Sequence, residues 1–136
     1  MKTMDTLTEF MPREQMLAVH QIARTKEGAE EMCETLNTVA ARIEAMPKTY
    51  EQDGAGDAVA HLHYFTASAD WYITERDIDT DGEGQHQAFG LADLFHDGGE
   101  LGYISIVELC AEPSMNLDFH FEPRPIGELR RARAAA

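Results

Sequence analysis

The 136-residue chain is poor in cysteine, in basic residues and in long apolar runs, and each shortage removes a class of protein. Only Cys33 and Cys110 are present, with no CxxC pair and no Cys/His quartet, so neither a disulfide framework nor a structural zinc site of the usual kind is expected. Each cysteine stands in an apolar helical context and is expected as a buried thiol. The opening "MKTMDTLTEF" lacks the apolar core of a signal peptide, and no run approaches the roughly 20 apolar residues of a membrane span, so the expected location is the cytoplasm. No P-loop, dinucleotide fingerprint, HExxH or GxSxG is found, which leaves no standard catalytic motif to build on.

The shortage of positive charge is uneven. The net charge is −14; residues 51–128 hold seventeen Asp/Glu against two Lys/Arg, whereas residues 1–50 are nearly balanced. A field of that sign repels nucleic acid and anionic membrane and attracts basic surfaces. Direct binding to nucleic acid or membrane is therefore disfavoured, and a protein partner with a basic surface is favoured.

What is present divides the single domain into a helical part (1–47), a sheet part (48–129) and a flexible basic tail (130–136). The first helix is expected to open on Pro12 and to place Met16, Val19, His20 and Ala23 on one face. In the second, Ala29, Met32, Cys33, Leu36, Val39, Ala40 and Ile43 recur at three- and four-residue steps; Thr25 is a candidate cap and Pro47 a stop. Such a helix pair could also form a seam between copies of the chain. Beyond the connector "MPKTYEQDGAGD" the pattern turns to strands: 58–66, 71–78, 86–95, 101–105 and 117–123. Ser105 stands three residues before Glu108, the spacing of a capping box, which predicts a short helix after the strand at 101–105. The predicted fold class is α+β: a helix pair on one face of a mostly antiparallel sheet of four to five strands.

The blocks "YEQDGAGDAVAHLHYFT", "DWYITERD", "QAFGLADL", "ELGYISIVEL" and "LDFHFEP", taken in order over residues 46–129, resemble the family catalogued as domain of unknown function 2958. The resemblance implies a compact α+β domain of the kind carried by plasmids, phages and other mobile elements. It supplies no catalytic residue and no cofactor, and it leaves the N-terminal helix pair outside.

Two candidate sites follow from the residues themselves. In "DIDTDGEGQHQA", Asp77, Asp79, Asp81 and Gly82 match the first half of a calcium loop, but the twelfth position is Ala88 and the flanks read as strands. A hairpin connection is the preferred reading, with Asp77, Asp79, Asp81 and Glu83 presented to a basic partner alongside Glu75, Trp71 and Tyr72. A metal site is the alternative, built on Asp77–Asp81 or on His61 and His63, which alternation would put on one strand face; Asp118 and His120 could complete it. The function expected is thus non-catalytic binding, with inhibition of a host defence nuclease as its sharpest form and a small metal-dependent enzyme as its rival.

Overall fold

The computed structural model describes residues 7–23, 25, 27–47, 58–76, 87–95 and 99–135. Helix α1, Arg13–Ala23, starts one residue after Pro12, whose carbonyl accepts the Met16 N–H at 2.9 Å. Helix α2 runs Ala29–Ala45 and buries Leu36, Val39, Ala40 and Ile43, as their spacing predicts. Its N-cap is Gly28. Thr25 acts one step earlier: its hydroxyl accepts from Gly28 N and donates to Ile22 O, tightening the turn between the helices. At the other end Met46 is already extended (ψ 137°), as the residue before Pro47 must be.

The sheet is antiparallel throughout. Strands β1 (Val59–Ala60), β2 (Leu62–Phe65), β3 (Asp70–Arg76), β4 (Gln87–Asp93), β5 (Glu100–Ser105), β6 (Asn116–Leu117) and β7 (Arg124–Pro125) form a five-stranded sheet in the order β5-β4-β3-β2-β6 and a small β1-β7 pair. Helix α3, Ile106–Ala111, follows β5 directly, and Ser105 Oγ accepts from Glu108 N at 3.2 Å as the capping spacing predicts. Helix α4, Ile126–Ala135, closes the chain.

Side-chain alternation gives the sheet two covered faces. Leu62, Tyr64, Ile73, Ala88 and Ile104 point to the helix side, where they meet Leu7, Phe10, Met11, Val19, α2, Ile106 and Leu109. Tyr64 is fully buried there and its hydroxyl donates to Phe10 O. On the far side Tyr72 and Leu91 pack with Ala60, Phe121, Ile126 and Leu129.

Four expectations are revised. The run 58–66 is two strands: Ala58 O accepts Ile126 N, drawing β1 toward β7, while His61 N keeps one bond to Ile73 O. The run 117–123 is a strand only at its start. Asp118 Oδ1 accepts the His120 N–H at 3.0 Å, and this local bond replaces the ladder with a turn. Residues 130–135 continue α4 in place of the expected frayed tail, and Arg130 Nη2 donates to Gly99 O. Cys33 and His20 lie on the exposed side of their helices, because the buried stripes are centred on Leu36–Ile43 and Val19 instead.

Two glycines are required by position. A Cβ on Gly90 would stand 2.0 Å from Tyr72 O, where a bulge between Ile73 and Glu75 presses β3 against β4. Gly99, with φ 75°, makes the turn into β5.

Candidate functional site

The densest polar arrangement among the described residues lies on the far face, around His63. In register, His63 opposes Tyr72 and Phe65 opposes Asp70, so strand pairing alone sets the imidazole beside a phenol and one residue from a carboxylate. His63 stacks on Tyr72 with centroids 4.6 Å apart and planes at 8°, and on Phe65 at 5.3 Å. Its Nε2 is 2.7 Å from Asp70 Oδ1 and its Nδ1 3.4 Å from Asp118 Oδ2. Asp118 is held there by its own N–H, which donates to His63 O at 2.9 Å. Only the imidazolium form donates from both nitrogens, and both are already aimed at carboxylates. The group therefore works as a clamp tying β2, β3 and the chain leaving β6.

The surroundings reinforce that role. Burial, together with the Asp93 and Asp118 carboxylates and against the opposing Arg124, raises the Tyr72 phenol above its ordinary value, which keeps it neutral. Phe121 tilts against both His63 and Tyr72, and the Arg124 guanidinium lies 5.8 Å from its ring centre. Arg42 of α2 reaches across to donate to Phe121 O. Cys110, on α3 and packed against the helix-side core, has its thiol pushed up to about 12 by burial, which leaves it without a reactive thiolate.

The residues singled out in the sequence are distributed as follows. Trp71 and Tyr72 do point to opposite faces, but both faces are covered: Trp71 packs half-buried on the helix side and Tyr72 is buried in the far cluster. Glu75 is 1% exposed and accepts a hydrogen bond from the Thr74 hydroxyl, so the bulge turns it inward and away from any partner. Asp77, Asp79, Asp81 and Glu83 lie outside the described residues. His61 does not share a site with His63. It stands at the break between β1 and β2, and burial, with Arg42 nearby, lowers its pKa from 6.5. Asp118 is indeed a neighbour of His63, whereas His120 is exposed and contributes its backbone N–H alone. Among the described residues no group of three or more His, Cys, Asp and Glu side chains is arranged to hold a metal ion.

Carboxylates on the surface are a different matter. Glu100, Glu108, Glu112, Glu122 and Glu128 are all exposed, and none is ion-paired among the described residues. Sequence reading missed Asp70 and Gln15. Asp70 is signalled only by its place one turn from "LHYF", and Gln15 by nothing local, since its partner is Leu117.

The family model described as "Protein of unknown function (DUF2958)" matches residues 29–124, and the chain belongs to that family. The match begins at α2 and stops before α4, so the helix pair is divided by the family boundary instead of lying wholly outside it, as the resemblance implied. No curated protein and no solved structure matches the chain. No helix among the described residues is long and apolar enough to cross a membrane.

Proposed function

We propose that this protein is a non-catalytic acidic binder that docks on a basic surface of another protein in the cytoplasm. The observation that carries the reading is that Glu100, Glu108, Glu112 and Glu122, all on the family-matching part of the chain, are exposed and have no ion pair among the described residues. Carboxylates neutralised internally would give solubility and little reach. Those facing solvent create a field that raises encounter rates with a cationic partner. The clamped His63, with both nitrogens directed at carboxylates, supports a structural role for the most enzyme-like group on the far face.

The sharpest form of the proposal follows from the mobile-element association that the resemblance implied. It is inhibition of a host defence nuclease, of the anti-CRISPR or anti-restriction kind, by covering a groove meant for nucleic acid. The test pairs affinity purification from host lysate at low salt with a plasmid- or phage-protection assay against a defence system. Capture of a nucleic-acid-binding protein released by salt, together with protection, is the expected result. Failure of both removes the proposal.

A further inference from the structure

His63 meets a carboxylate at each ring nitrogen. Its Nε2 lies 2.7 Å from Asp70 Oδ1 on β3, and its Nδ1 lies 3.4 Å from Asp118 Oδ2 in the chain leaving β6. A carboxylate only accepts, so both contacts are attractive when the ring carries two protons. A neutral ring carries one N–H, and its other nitrogen then turns a lone pair toward a carboxylate oxygen. The two arms are unequal. The Asp70 contact is the shorter, and Asp118 has a second engagement, since its Oδ1 accepts the His120 N–H at 3.0 Å. A single proton therefore stays on Nε2, and the Asp118 arm is the one that is lost.

What the Asp118 arm holds is a turn. Asp118 O accepts the Phe121 N–H at 3.4 Å, and Phe121 packs against both His63 and Tyr72 in the far-face cluster. Arg42 of α2 donates to the Phe121 carbonyl. β7 and α4 follow within a few residues, so the turn is the connection between the sheet and the closing helix.

The other groups around the ring come from several elements. On β2 Phe65 stacks on it, and on β3 the Tyr72 phenol, kept neutral, stacks on it more closely. On β4 Asp93 opposes Asp70 in register and adds a third carboxylate to this face. On β7 Arg124 is the opposing charge, 5.8 Å from the Phe121 ring centre. The carboxylates that contact the ring directly favour its charged form.

We infer that His63 is a pH-operated latch: with two protons it fastens the turn at 118–121 to β2 and β3, and with one it releases the Asp118 side chain. The stability it contributes is complete below about pH 6.5, the ordinary histidine value, and fades as pH rises through the value set by the folded protein. Its sign is opposite to that of His61, whose ring is held below the ordinary value by burial and by Arg42.

The test follows the imidazole and backbone amide signals of the full chain by NMR from pH 5 to pH 10, with His63 assigned by its loss in His63→Gln. The His63 signal is expected to titrate above pH 6.5, and the His120 and Phe121 amides to move with the same midpoint. Asp118→Asn lowers that midpoint, and the two amides no longer follow it, because an amide can bond the ring in either form. Asp70→Asn lowers the midpoint further. At pH 6, His63→Gln speeds exchange of the His120 and Phe121 amides about tenfold, as loss of one hydrogen bond to a charged group predicts. Asp118→Asn keeps the test valid if Asp70→Asn or His63→Gln disturbs the fold. A His63 midpoint at or below 6.5 overturns the doubly protonated pairing. Amides at 120 and 121 that ignore the His63 midpoint overturn the latch.

Discussion

The two edges of the sheet are built from the same backbone and end in opposite ways. At β6 a single glutamine from α1, more than a hundred residues away in sequence, satisfies the outward N–H and C=O of Leu117. Along β5 the side chains of Glu100 and Tyr103 are exposed, one on each face of the sheet. The sheet thus draws on its first helix to close the edge at β6 and leaves side chains on both faces of β5 to solvent.

The comparison breaks most easily at a pair of glycines that face each other in register, Gly90 on β4 and Gly102 on β5. Alanine at 90 would drive a Cβ into Tyr72 O, with a cost of about 3 kcal/mol in denaturant unfolding. Alanine at 102 meets open space, and its effect should stay within about 0.5 kcal/mol. Equal costs at the two positions would mean that the β5 edge is as enclosed as the sheet centre. Gln15→Ala comes next: two hydrogen bonds to one peptide unit are lost, about 1–2 kcal/mol in the same measurement. It should also open the β6 edge and make sedimentation concentration-dependent, which the parent chain should not show through that edge.

Ser105→Ala removes the cap that starts α3 at the end of β5, for about 1 kcal/mol by thermal unfolding. The smallest effect is at His61, on the closed side. Its folded pKa is depressed below 6.5, so the unfolded chain binds the extra proton first; the stability it contributes is complete above about pH 6.5 and is lost as pH falls toward the folded value. Comparing the parent chain with His61→Gln between pH 7 and pH 5 should show the parent losing slightly more stability. A parent that gains stability instead would place His61 in a charge-stabilising site.

Much of the fold was legible because its signals are local. The period of α2, the Ser105–Glu108 spacing and the aromatic, β-branched runs of β3, β4 and β5 each declare an element within a few residues. What escaped depends on contacts distant in sequence. The split of 58–66 arises from β7 and Ile126, and the turn at Asp118 from one carboxylate choosing a backbone N–H close by. Burial was harder still: Glu75 reads as a surface carboxylate until the bulge places it inside. The family was legible from ordered blocks, but its start at Ala29 was not, since amphipathic helices resemble one another across unrelated proteins. Of the candidate site, the acidic surplus was plain in composition. The Asp70 side of the His63 clamp was not, because Asp70 reaches the imidazole only through the pairing of β2 with β3.

The central claim is that the exposed carboxylates of the sheet part engage a basic partner. Affinity purification from host lysate at low salt, followed by a salt wash, tests it directly. Capture of a nucleic-acid-binding protein that the wash releases is the predicted result. Capture of none would contradict it.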